Sequence, residues 1–254
     1  MRTLATLAFI LFSAAALMAQ SEEDAYLKID YITVNPSDNG NFLHQAQSLW
    51  RNQMQNRVDK GELIRWQLYR VAYRGNKDYR YNYVSVQVAP SLNDLETRDQ
   101  PAIVRRRQIL DAPVPLDITH SELWRTQSTA HREPGVEPSR YMNANFMRVA
   151  PHRTDDYLEL EREIARPLHR LEMEDDRMDG WEFYRLIFPG GSIYEYNYMT
   201  ADFYRRLEQI EFGITSEMIA REFPEIEEGF DDYADAIRER VWSDLWELVE
   251  FVME

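Results

Sequence analysis

The chain has no cysteine among its 254 residues. That absence removes disulfides, thiolate nucleophiles, cysteine-ligated zinc, iron–sulfur clusters and a lipid-modified bacterial N-terminus. Lysine is nearly missing as well, since only Lys28, Lys60 and Lys77 occur and arginine supplies the remaining basic charge. Asp and Glu outnumber Lys and Arg by 44 to 29, a net charge of −15. An acidic, lysine-poor surface suits a salty habitat, and it argues against nucleic acid as the main partner, because phosphate neutralisation needs a basic surplus. No histidine pair has the i, i+4 spacing of a zinc helix, and there is no glycine-rich phosphate loop or serine elbow. The carboxylates at Glu222, Glu225, Glu227, Glu228, Asp231, Asp232 and Asp235 lack the register of a calcium loop and read as a solvated face.

What is present begins with an N-terminal export signal. Arg2 supplies the charge, Leu4 to Met18 is apolar but for Thr6 and Ser13, and Leu17-Met18-Ala19 has the small residues of a cleavage site. Residues 1–19 are expected to be removed, leaving Gln20 as the first residue of a chain exported to the periplasm or exterior of a bacterial cell. The apolar run falls short of the roughly 20 residues that span a bilayer, and no later stretch matches it, so no membrane partner is expected after cleavage.

The remaining sequence repeats itself at an offset of 115 residues. Trp66-Gln67-Leu68-Tyr69-Arg70 falls on Trp181-Glu182-Phe183-Tyr184-Arg185, and Tyr79-Arg80-Tyr81-Asn82-Tyr83 falls on Tyr194-Glu195-Tyr196-Asn197-Tyr198. Near the end of each copy the offset becomes 122, where Ser121-Glu122-Leu123-Trp124 meets Ser243-Asp244-Leu245-Trp246. Within a copy, Tyr26 to Val34 alternates and stops at Pro36, as a strand does. Asn41 to Val58 places Phe42, Ala46, Leu49, Trp50, Met54 and Val58 at helical spacing, and Asp155 to Met173 repeats the pattern. Two strand-like runs come next, joined at Arg74-Gly75-Asn76 in one copy and Pro189-Gly190-Gly191 in the other. A second helix is expected near Leu92 or Tyr204, then a last strand with Trp124 or Trp246. The order is βαββαβ, the ferredoxin-like split unit. The Pro- and charge-rich stretch His131 to Ser139 reads as a linker, which divides the chain into repeats over 20–135 and 136–254.

By this element order, and by the strand motif at Arg65 to Arg70 and Gly180 to Arg185, nearly all of the mature chain resembles the dimeric α/β-barrel superfamily. That superfamily includes the antibiotic-biosynthesis-monooxygenase, NIPSNAP-like and stress-responsive barrel families. The resemblance implies an α+β fold in which two four-stranded antiparallel sheets, each with helices on one face, close into a barrel. Both halves here share one polypeptide, a pseudo-dimer that can assemble further. Some relatives bind haem through a histidine, for which His169 would be the candidate, but the residues themselves indicate no cofactor and no metal.

Period-two parity places Trp66, Leu68 and Arg70 on one face of their strand and Tyr79, Tyr81 and Tyr83 on one face of the next. The second copy gives Trp181, Phe183 and Arg185, with Tyr194, Tyr196 and Tyr198. If Trp and Tyr share a sheet face, each half carries an aromatic patch with one guanidinium held against it. The patch reads either as sheet packing or as the wall of a ligand cavity in which Arg70 and Arg185 hold a carboxylate or phenolate. The five histidines divide between the first helices, His44 and His169, and positions in or near loops, His120, His131 and His152. Three functions remain open: an exported binding protein for a small aromatic or apolar, even acidic, molecule; a cofactor-independent monooxygenase-like enzyme for a phenolic substrate, drawing on tyrosines, Arg and Asn82 or Asn197; and a structural or interaction module with filled cavities.

Overall fold

The computed structural model describes residues 24–78, 80–96, 116–132, 137–191, 194–225 and 230–253. The export signal, Tyr79, Glu227, Glu228 and the expected boundary at residue 135 lie outside the described residues.

Eight strands form a closed antiparallel barrel. They are β1 (Tyr26–Val34), β2 (Arg65–Tyr73), β3 (Tyr83–Ala89), β4 (Leu116–His131), β5 (Tyr141–Val149), β6 (Gly180–Phe188), β7 (Tyr198–Tyr204) and β8 (Arg238–Met253). The first half contributes a sheet ordered β4-β1-β3-β2 and the second a sheet ordered β8-β5-β7-β6. The barrel closes through two seams, β2 against β8 and β6 against β4. Closure removes the exposed edges that two separate four-stranded sheets would present.

The two seams carry one register. Arg70 opposes Glu247 where Arg185 opposes Arg125, Leu68 opposes Glu250 where Phe183 opposes Ser128, and both seams slip at equivalent places. The β1/β3 and β5/β7 pairings also repeat residue for residue at the 115 offset. A one-residue difference would have turned every inner side chain outward, so the ungapped offset is what a shared barrel requires.

Each first helix is a single rod with a π-helical centre: α1 spans 39–58 with the wider turns at Ala46–Trp50, and α2 spans 154–174 with them at Leu160–Ala165. Pro36 and Pro151 open the preceding turns, where a missing N–H costs nothing. The second helix of the second half starts later than the apolar spacing suggested. Tyr204 ends β7, and α3 (Ser216–Glu222) and α4 (Phe230–Ile237) come after it. In the first half Leu92 lies in a turn, and residues 97–115 are outside the described residues. His120 and His131 lie on β4 and not in loops.

Two layers of core result. Phe42, Trp50, Met54, Trp66, Leu68 and Tyr83 pack between α1 and the outside of the barrel, and Tyr157, Leu160, Trp181, Phe183 and Tyr198 do the same under α2. Inside the barrel lie Leu27, Ile29, Tyr31, Tyr69, Val86, Trp124, Phe146, Tyr184, Met199 and Trp246. Trp66, Trp124, Trp181 and Trp246 are all fully buried, and truncating any of them to Ala should cost about 3–5 kcal/mol.

Candidate functional site

The expected aromatic patch is divided by the barrel wall. Trp66, Tyr83, Trp181 and Tyr198 lie beneath the helices, whereas Tyr81 and Tyr196 lie in the barrel interior with Tyr194 packed against it. Parity fails at Asn82 because that residue is not in the strand. Its amide donates to Val34 O at 2.8 Å and accepts from Val34 N at 2.9 Å, standing in for a peptide group at the end of β1. Asn197 makes the same pair of bonds to Val149, both at 2.9 Å. Both asparagines are therefore held in the sheet plane by main-chain bonds.

Arg70 and Arg185 are exposed, although each stands directly across the sheet from a buried tyrosine, Tyr83 and Tyr198. The helices cover the outer face of β2 and β6 only as far as Leu68 and Phe183, and Arg70 and Arg185, next on that face, are exposed. Arg70 pairs with Glu247 at 2.5 Å, and Glu247 also accepts from Arg140 at 2.9 Å.

The interior instead holds two carboxylate clusters, at opposite ends of the barrel. β1 and β2 run the same way, both antiparallel to β3, so the end of β1 and the start of β2 are far apart. Near the end of β1, the inner face of β4 presents His120, Glu122 and Trp124 at alternate positions. Glu122 is completely buried and accepts from Tyr31 Oη at 2.8 Å, Trp124 Nε1 at 3.0 Å, Tyr194 Oη at 2.5 Å and Tyr196 Oη. Burial raises the pKa of its carboxyl above the ordinary value, and the four hydrogen bonds only partly oppose that. His120 is partly exposed and stacks on Tyr31, centroid to centroid 4.0 Å at 11°. Its burial lowers the imidazole pKa to about 4, so it is neutral at physiological pH.

The equivalent face of β8 presents Trp242, Asp244 and Trp246. Asp244, also completely buried, accepts from Gly75 N at 2.7 Å and from Tyr81 Oη. Gly75 must be glycine, because a Cβ there would sit 2.1 Å from Ser243 O. Each half therefore lends a tyrosine to the other half's carboxylate, Tyr81 to Asp244 and Tyr196 to Glu122.

At the opposite end, Glu182 accepts two 2.7 Å bonds from Arg65 Nη2, one from Tyr184 Oη, and lies 3.0 Å from His131 Nε2. Burial would raise its pKa, but the Arg65 charge and the other bonds outweigh that, and the pKa is held below the ordinary value.

His169 does not fit a haem. Its Nδ1 lies 2.7 Å from Glu172, and its ring face is stacked on Trp181 at 5.3 Å. Burial alone would depress the imidazole, but Glu172, Asp202 and Glu161 together raise its pKa. The ring is thus packed against the core under α2, outside the barrel interior. Among the described residues no group of three His, Asp or Glu has metal-binding geometry.

Sequence reasoning missed Glu122, Asp244, His120, Tyr31, Arg65 and Glu182 as site residues. The signal was in view, because Ser-Glu-Leu-Trp and Ser-Asp-Leu-Trp recur in the two copies with an acid at the same place.

No family model matches this sequence, and no curated protein matches it. Solved structures do. A candidate monooxygenase from Lactobacillus acidophilus has a TM-score of 0.56 at 9% identity, covering 91% of this chain and 97% of its own. One from Fusobacterium nucleatum has 0.54 at 8%, covering 91% and 95%. An anthrone oxidase-like protein has 0.51 at 14%, covering 92% and 94%. At such identities the likeness speaks for the fold. The chain has the fold of the dimeric α/β-barrel superfamily, with both ferredoxin-like halves in one polypeptide.

Proposed function

We propose that this is an exported enzyme that oxidises a small phenolic substrate with molecular oxygen at the Glu122 end of its barrel. The observation that carries the reading is His120, a neutral and partly exposed imidazole seated on Tyr31, whose hydroxyl is held by Glu122. A neutral imidazole accepts a hydrogen bond from a phenolic hydroxyl, although its lowered pKa makes it a weak base for full proton transfer, and the tyrosine rings fixed around Glu122 supply a rigid aromatic floor for the substrate ring. In the overall reaction a phenol and O2 give a quinone and water: one oxygen atom enters the ring as a carbonyl and the other leaves as water. The similar solved structures described as monooxygenases and as anthrone oxidase-like support oxygen chemistry on this fold, by analogy only.

A second reading is binding of a small aromatic molecule without turnover. It is favoured by the saturation of Glu122, whose four donors are all protein groups that fix the site without a reacting partner. Oxygen uptake and product mass spectrometry with a panel of phenols and anthrones test both readings. Turnover that falls about 100-fold in His120→Ala while substrate still binds supports the enzyme. Binding with no oxygen uptake in the wild type supports the binding protein, and neither binding nor uptake refutes both.

A further inference from the structure

The shared register of the two seams allows their outer faces to be compared position by position. On the β2/β8 seam two arginines meet carboxylates: Arg70 is opposite Glu247 and bonded to it at 2.5 Å, and Arg51 of α1 reaches Glu250 at 3.0 Å. The first of these recurs on the β6/β4 seam as Arg185. There the strand position that holds Glu247 holds Arg125, so Arg185 is directly opposite Arg125. Arg162 of α2 bonds the neutral Gln127, at its O (3.1 Å) and Oε1 (3.3 Å).

Arg185 is exposed and makes no ion pair or hydrogen bond with the described residues. Arg125 is half exposed and has one carboxylate among the described residues, that of Asp24 at 3.1 Å, itself 83% exposed. Side chains directly opposite on antiparallel strands stand about 5 Å apart at Cβ, and like charges in that position destabilise the pair. The paired arrangement was available, since the other seam has it. A chain of net charge −15 nevertheless gathers guanidinium groups here.

We propose that the outer face of the β6/β4 seam binds an oxyanion, a phosphate or carboxylate group of a ligand, held in the fork of Arg125 and Arg185. Planar guanidinium groups suit both anions, because each offers paired N–H donors to two oxygens. This site is on the outside of the barrel and is independent of the oxidation site at the Glu122 end.

Thermal melting of the full mature protein tests it, in sodium chloride, inorganic phosphate and citrate at matched ionic strength. Phosphate, citrate or both should raise Tm by about 3 °C more than chloride does, saturating with concentration. The responding anion assigns the tetrahedral or the planar group. Arg185→Met breaks no ion pair or hydrogen bond among the described residues, so it should fold normally and lose the response. Arg125→Glu rebuilds the cross-strand pairing of the other seam at the loss of the exposed Asp24 bridge, and should abolish the response. Equal shifts in chloride, phosphate and citrate overturn the proposal, as does an Arg185→Met protein that keeps the wild-type anion response.

Discussion

The two halves of the barrel agree in backbone and differ in how their buried carboxylates are satisfied. Among the described residues Glu122 has four side-chain donors, from Tyr31, Trp124, Tyr194 and Tyr196, while Asp244 has one tyrosine and one backbone N–H; Tyr79, the counterpart of Tyr194, lies outside the described residues. Two single substitutions between the copies contribute. Phe146 stands where Tyr31 stands and has no hydroxyl, and aspartate is one methylene shorter than glutamate. Trp246 is accordingly buried with its Nε1 unpartnered among the described residues, although its counterpart Trp124 donates to Glu122. The shared register places an acid at the same height of the barrel in both copies, and the shell around each acid differs.

The largest effect should come from the acids themselves. Glu122→Leu strands three tyrosine hydroxyls and an indole N–H in a closed interior, and hydrogen bonds to a charged group contribute roughly 1.5–3 kcal/mol each, with strong non-additivity. A loss on the order of 4 kcal/mol is expected for Glu122→Leu and about half that for Asp244→Leu, by urea denaturation. Equal losses would show that the richer shell of Glu122 adds nothing.

The asparagines probe where the halves agree. Asn82→Ala and Asn197→Ala each remove two bonds to the main chain of one residue, so each should cost about 2 kcal/mol and the two losses should match. A difference above about 1 kcal/mol would mean that the sheet ends are not equivalent.

A smaller, pH-dependent contrast comes from His120, whose counterpart Trp242 does not titrate. Its folded pKa is depressed to about 4, so its contribution to stability is fully present above about pH 6.5 and is lost as pH falls toward 4. Buried acids with raised pKa values, Glu122, Glu161 and Asp202, act in the opposite sense as the pH falls. The measurement is therefore the wild-type minus His120→Phe difference in unfolding free energy from pH 7 to 4, which should shrink steadily. A flat difference would place the imidazole in solvent.

The smallest effect belongs to the arginine first expected to be buried. Arg70→Met leaves Glu247 with Arg140, and the side chain is 56% exposed, so the loss should stay below about 1 kcal/mol. A drop of several kcal/mol in Arg70→Met would return Arg70 to the core.

The repeat was legible because register and periodicity are local properties of the chain. A 115-residue offset without a gap, strands with period two and helices with period near 3.6 together specify βαββαβ twice, and two such sheets close most simply as a barrel. Strand parity holds only while a strand continues, and Asn82 interrupts it by bonding the backbone with its side chain, which sent Tyr81 and Tyr83 to opposite sides of the wall. The environment of Arg70 was not legible either, since the place where α1 stops covering β2 is a matter of helix placement and not of residue type.

By itself the sequence determined the two copies, their element order and the acid that each carries before Leu-Trp. Only the tertiary structure decided that Glu122 receives tyrosines from both halves and that Arg185 faces Arg125. Those contacts join residues 60 to 91 positions apart, and no local pattern encodes which side chains a closed barrel brings together.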